Sequence, residues 1–210
     1  MCGFVGFTGL LETREDVLRR MADRIIHRGP DMEGYHIGGE TKEDSIALGF
    51  RRLSIIDLAD GKQPMYNEDG TVVVTFNGEI YNFESLRHEL IAKGHIFKTR
   101  CDSEVLVHGY EEYGTALASK LRGMYAFVVW DTKTNSMYGA RDIFGIKPFY
   151  YRENKEGVVF ASEFKAFLFD SNMPSYSVND GHLQSYFTFQ YVTEPDTVTN
   201  DIKIVPAGHY

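Results

Sequence analysis

Cysteine is scarce in this chain. Only Cys2 and Cys101 occur, too few for a disulfide framework, and neither belongs to a CxxC pair. That usage points to a reducing, cytoplasmic compartment. Long apolar runs are missing as well. The longest clean one, MYAFVVW from Met124 to Trp130, falls far short of a membrane span. No basic region followed by a long apolar stretch marks a secretory signal. There is no block of lysines or arginines, and the net charge is −8, so neither nucleic acid nor an anionic membrane is an expected partner. Phosphate-cradling loops of the GxxxxGKS/T and GxGxxG kinds are absent. The seven histidines are scattered, and His88 and His95 lack the two-histidine spacing of a zinc helix. No metal site is expected on that ground.

What is present suits a globular protein with a sizeable core. Of 210 residues, 43% are apolar and 14% aromatic, enough for one large domain or two small ones. No linker of domain-boundary character precedes about residue 170. CGFVGFTG reads as a strand. TRED (Thr13 to Asp16) looks like a helix N-cap with an acid three residues on, followed by Val17, Leu18, Met21 and Ile25 at helical spacing, and Gly29-Pro30 stops the run. SIALGFRRLSI (Ser45 to Ile55) reads as a strand. So does TVVVTF (Thr71 to Phe76), bounded by Asp69-Gly70 and Asn77-Gly78. FESLRHELIAKG and SEVLVHGYEEYG read as helices, the first with Phe83, Leu86, Leu90 and Ile91 on one face, the second with Leu106, Tyr110 and Tyr113. From Met124 onward the chain is strand-rich, and polar turns suggest antiparallel hairpins. DGHLQSYFTFQ reads as a last helix. Strands in antiparallel groups with few helices between them predict two packed sheets covered by helices.

Four places could carry chemistry. Cys2 directly follows the initiator methionine. With Met1 removed, it would hold a thiol and a free α-amine on one carbon. The amine, with a reference pKa of about 7.7–8.0 against about 8.5 for the thiol, could serve as its own base. The plain alternative is a small residue opening a strand. Asn77-Gly78 is a strong hairpin signal. It also offers a side-chain NH₂ beside an unobstructed backbone N–H, two donors that could hold an oxyanion, with the Glu79 carboxylate next to them. Arg51 and Arg52 are adjacent on a strand and point to opposite faces, so one turns inward and needs an anionic partner, structural or substrate. Asp102 stands at a helix start, where capping is the ordinary role and receipt of an ammonium group the alternative.

The combination, in this order, resembles one family. An initial MCG, then HRGPD (His27 to Asp31), RLSIID (Arg52 to Asp57), NGEIYN (Asn77 to Asn82), DSE (Asp102 to Glu104), LRGMYAF, ARDIFGIKPFYY, ASEFKA and a closing DIKIVPAGHY are similar to the glutaminase half of glutamine-hydrolysing asparagine synthetases. That half is a class II glutamine amidotransferase, an N-terminal-nucleophile hydrolase. The resemblance spans nearly the whole chain and implies one α+β domain, residues 1–210, built as a four-layer αββα sandwich of two antiparallel sheets. It implies that Cys2 attacks the carboxamide of glutamine, with Asn77 and Gly78 as oxyanion hole. Arg52 would take the α-carboxylate, Glu79 and Asp102 would surround the α-amine, and Leu53, Ser54, Ile55 and Ile56 would line the pocket. ARDIFGIKP is expected to be core and domain-interface scaffold. The domain itself needs no cofactor. ATP and magnesium belong to a synthetase half that nothing here resembles, so the chain reads as an isolated domain or fragment, with that half as a partner and a homodimer as a further expectation. Rival readings are the same domain serving a different acceptor, or a non-catalytic module of the same fold.

Overall fold

The computed structural model describes residues 2–9, 13–53, 61–168 and 176–210. Its centre is the strand β1 (Gly3–Thr8), which pairs antiparallel with β3 (Ile46–Arg52) on one side and with β9 (Gly157–Ala161) on the other. Adding β2 (Met32–Gly38), β8 (Tyr150–Asn154) and β10 (Lys203–Ile204) gives a six-stranded sheet in the order β10-β8-β9-β1-β3-β2. A second sheet of four strands runs β4-β5-β6-β7, with β4 at Met65–Tyr66, β5 at Val72–Ile80, β6 at Gly123–Asp131 and β7 at Ser136–Arg141.

Period-two alternation decides which side chains meet. Phe4, Ile46, Leu48, Phe50 and Phe160 of the first sheet face Val73, Ala126, Val128 and Trp130 of the second and form the inter-sheet core. The opposite face of the first sheet presents Val5, Phe7 and Ala47 to Leu18, Met21 and Ala22 of helix α1 (Arg14–Arg24). The opposite face of the second presents Val74, Phe76 and Phe127 to Leu86 and Leu90 of α2 (Phe83–Ala92) and to Leu106 of α3 (Glu104–Tyr113). The result is helix, sheet, sheet, helix: the expected αββα sandwich. Two further helices, the short α4 (Leu117–Lys120) and α5 (Asp180–Phe189), complete the described chain. No helix is long and apolar enough to cross a membrane among the described residues.

Three local expectations need correction. Asn77-Gly78 is not a turn: β5 runs straight through it to Ile80, with Asn77 opposite Ala126 and Gly78 opposite Tyr125. Long-range pairing with β6 overrides the local hairpin preference. Thr13 precedes α1 but makes no side-chain cap bond. Ile91, placed on the apolar face of α2, is 47% exposed, because the face that packs on the core is carried by Phe83, Leu86 and Leu90.

Candidate active site

Cys2 stands one residue before β1, partly buried at the end of the inter-sheet core. Its Sγ lies 3.8 Å from the Leu53 carbonyl oxygen. Its own carbonyl is held from two directions. Arg28, in a short 3₁₀ turn (Ile26–Arg28), donates to it from Nε at 2.9 Å. With its amide oriented so that both ends find a partner, Asn77 donates to it from Nδ2 at 3.1 Å and accepts from Arg28 Nη2 at 3.3 Å. The amide carries two N–H donors, so one is committed to this bond. Asn77 is 2% exposed, and these partners offset the cost of burying it.

The register places the next donor. Tyr125, opposite Gly78, uses its N–H on the Asp142 carboxylate and its carbonyl on the Asp142 N–H. Gly78 and Tyr125 are therefore a non-hydrogen-bonded pair, and the Gly78 N–H points away from β6. Its alternate neighbours confirm the direction. The Phe76 N–H donates to Gln63 Oε1 at 2.6 Å, and the Ile80 N–H to Asp102 Oδ2 at 2.8 Å. Gly78 N–H thus lies on the strand edge between two side-chain-capped neighbours. Glycine is required here by close approach: a Cβ would stand 2.2 Å from the Met124 carbonyl oxygen.

Asp102 does not cap α3. Ser103 precedes the helix, without a side-chain cap bond, and the Asp102 carboxylate reaches to β5 instead. Burial raises its pKa to about 6, with Glu79 adding repulsion while the Ile80 N–H opposes. Glu79 itself is exposed.

The two arginines separate as alternation requires. Arg51 turns to α1, where it donates to the Ala22 carbonyl and pairs with Asp23 and Glu33. Arg52 turns to the inter-sheet side and contacts Met32 Sδ at 3.8 Å. It lies against Gly61, where an added Cβ would be 3.3 Å from its Nη2 and 2.9 Å from Cys101 Sγ. It also lines a cleft of about 270 Å³ with Met32, Gln63 and Tyr66, whereas Cys2, Asn77 and Asp102 are not among that cleft's lining residues. Leu53 is half-buried beside Cys2. Ser54, Ile55 and Ile56 lie outside the described residues.

Sequence reasoning missed two cations. Arg28 belongs to HRGPD and bridges the Cys2 carbonyl to Glu163 of ASEFKA at 2.9 Å. Lys147 belongs to ARDIFGIKP and is buried. Burial and Arg28 push its pKa down, while Asp142, Cys2 and Glu79 act in the opposite direction. Both lie in motifs that carried the family resemblance, which was the available signal. The rest of ARDIFGIKP is scaffold. Asp142 accepts from the N–H groups of Phe144, Ile146 and Lys147, and Arg141 donates to the carbonyls of Gly145, Lys147 and Val205.

Two antiparallel sheets between helical layers, with a cysteine at the head of the central strand and a polar cluster around it, define the amidotransferase class of N-terminal-nucleophile fold. The structure of glutamine phosphoribosylpyrophosphate amidotransferase from B. subtilis superimposes with a TM-score of 0.65 at 23% identity, over 79% of this chain and 43% of that one. The glutamine amidotransferase domain family matches residues 1–210, and the chain belongs to that family. It is 45% identical to asparagine synthetase [glutamine-hydrolyzing] 1 of Bacillus subtilis over 99% of its length, and 43% identical to the asparagine synthetase of Zea mays over 88%. It spans about a third of those relatives, 33% and 31%.

Proposed function

We propose that this chain hydrolyses glutamine to glutamate and ammonia through a cysteine thioester. Cys2 Sγ attacks the carboxamide carbon, and the α-amine exposed by removal of Met1 takes the thiol proton and passes it to the leaving nitrogen. Ammonia departs, leaving a γ-glutamyl thioester. Water, deprotonated by the same amine, then adds to the thioester. The C–S bond breaks, and glutamate leaves with the thiol restored. The second N–H of Asn77 and the edge N–H of Gly78 receive the oxyanion. Arg52 binds the α-carboxylate as a planar fork, and Asp102 with Glu79 takes the ammonium. The carrying observation is that the Gly78 N–H emerges on an open strand edge beside an asparagine already touching Cys2.

The ammonia is intended for ATP-dependent amidation of aspartate by a synthetase segment, where ATP and magnesium act. The names of the relatives support aspartate as acceptor. Ile143, Phe144 and Ile146, which are 64%, 77% and 55% exposed, form an apolar face on the loop that packs against residues 205–210 through Asp142 and Gly208. We assign that face to the synthetase segment.

The experiment compares the chain with and without Met1, each verified by intact mass, for ammonia release from glutamine without ATP or aspartate. The processed form is expected to turn over and the Met1-retaining form to be nearly inactive. Equal turnover would exclude the α-amine as base.

A further inference from the structure

Away from Cys2, the helical layer on the four-stranded sheet contains a cluster that glutamine hydrolysis does not use. Glu68, from the segment between β4 and β5, and His95, just beyond α2, meet His108 and Glu111 on one face of α3. One donor atom from each of the four lies within 4.8 Å of all the others. His108 is 1% exposed, and neither of its ring nitrogens has a hydrogen-bond partner among the described residues. An imidazole buried with both nitrogens unsatisfied carries a substantial desolvation cost. Its Nδ1 lies close to two carboxylates, 3.3 Å from Glu68 Oε2 and 3.6 Å from Glu111 Oε2. His95 Nδ1 stands 3.8 Å from the same Glu111 oxygen and 3.7 Å from Glu68 Oε1.

We propose that Glu68, His95, His108 and Glu111 bind a divalent transition-metal ion of the zinc class. Tetrahedral zinc with N and O ligands at about 2.0–2.2 Å places neighbouring donors about 3.3–3.6 Å apart. His108 Nδ1 already lies 3.3 and 3.6 Å from the inward oxygens of Glu68 and Glu111, and the widest of the donor separations, no more than 4.8 Å, would contract on binding. The outer groups are also in place. Glu68 Oε1 accepts from the Ile96 N–H at 2.8 Å, and Glu111 Oε1 from Asn67 Nδ2 at 2.8 Å. Each carboxylate is thereby held by one oxygen while the other faces the centre. The far nitrogens of the histidines face carboxylates too, His108 Nε2 toward Glu104 at 3.6 Å and His95 Nε2 toward Glu112 at 3.7 Å. Closing these contacts to hydrogen bonds would give the carboxylate–histidine–metal arrangement usual around zinc. Four carboxylates around two imidazoles also leave an excess of negative charge that a dication would offset.

The scattered sequence positions concealed the site, since only His108 and Glu111 are neighbours on one helix, at i and i+3. The ion would be structural. All four ligand positions are filled by protein, and Glu104, beside His108, accepts from the N–H groups of Lys98 and Thr99, both at 2.7 Å, in the segment that leads to Asp102.

The test uses the full chain with Cys2→Ala, so that the N-terminal thiol does not compete for metal. After chelator treatment the protein is loaded with Zn²⁺, desalted and assayed by mass spectrometry for bound zinc. One equivalent is expected. His95→Ala and Glu68→Gln, both at partly exposed positions, should each weaken zinc binding by more than the roughly 10–100-fold that loss of an outer-shell partner causes. His88→Ala, outside the cluster, should retain one equivalent. Co²⁺ in place of zinc should give the intense visible absorption of a four-coordinate ion without a thiolate charge-transfer band. That readout requires no variant to fold. Failure of the parent chain to hold stoichiometric zinc, or zinc binding by His95→Ala and Glu68→Gln equal to the parent, would overturn the proposal. The cluster would then be a network of polar contacts between histidines and glutamates.

Discussion

Five side chains allow sharp tests at the scale of single residues. Cys2→Ala is expected to abolish ammonia release while Cys101→Ser largely keeps it, since only Cys2 joins a thiol to an α-amine; equal loss in two folded variants would refute that assignment. Arg52→Lys should weaken glutamine binding about tenfold or more, because an ammonium cannot reproduce the planar fork. Arg51→Lys should leave binding nearly unchanged, since its partners are Asp23, Glu33 and the Ala22 carbonyl. The opposite ranking in titration calorimetry would mean the wrong arginine was chosen. Asp102 gives a pH dependence with a definite sign. Its carboxyl titrates near 6 rather than 3.8, chiefly through burial. In the free protein its charge is a cost that is absent at low pH and fully present above about 6. An ammonium bound beside it favours the charged form. Glutamine should therefore bind with release of a proton from Asp102 to the buffer near that pH, and its affinity for the inert Cys2→Ala chain should fall by up to about tenfold per pH unit below it. Asp102→Asn should bind more weakly and without that slope. A parent Kd flat across the range would remove Asp102 from the ligand site.

At the scale of elements, the sequence was legible where period and burial agreed. Strands β1, β3, β6, β7 and β9 and helices α1, α2, α3 and α5 fall where alternation and helical spacing put them, while β8 starts only at Tyr150, late in the apolar run KPFYY, and continues into the polar residues expected to turn. It failed where a local signal met a stronger distant partner. Asn77-Gly78 has turn chemistry, yet β6 supplies a continuous opposite strand, and the pair continues as sheet. That same failure exposed the site's logic, because glycine serves there for contact rather than for turning. Gly78→Ala would bring a methyl within 2.2 Å of the Met124 carbonyl oxygen, so β5 and β6 must separate locally. A loss of about 1–3 kcal/mol in stability is expected, together with a fall in kcat as the edge N–H shifts. Urea unfolding and kinetics check the two effects separately. Asn77→Ala should lower kcat by roughly 10²–10³ with little change in KM. A pure KM effect would make Asn77 a ground-state contact.

At the scale of the molecule, the sandwich was legible as a class but its wiring was not. Hairpin reasoning pairs β6 with β7 and β8 with β9 correctly, yet nothing local says that β7 and β8 belong to different sheets or that β1 lies between β3 and β9. Those choices are made by which faces bury together, Phe4 and Phe160 against Trp130 and Val128, and pattern alone does not rank such pairings. The same scale governs the apolar face of Ile143, Phe144 and Ile146. Its loop backbone is fixed by the buried Asp142 and Arg141, so the exposed side chains are presented on a rigid support rather than left over from a loose one. Phe144→Ser should change the stability of the isolated chain by no more than about 0.5 kcal/mol and leave its glutamine hydrolysis intact, since the ring is 77% exposed. In a chain continued by a synthetase segment, the same change should lower asparagine formation from glutamine more than formation from added ammonia. Ammonia bypasses the glutaminase, so the ratio of the two rates isolates the contact between the halves from damage to either one. A proportional fall in both rates would place the defect within the synthetase reaction, and an unchanged ratio with unchanged rates would show that this face is not the one the synthetase segment covers.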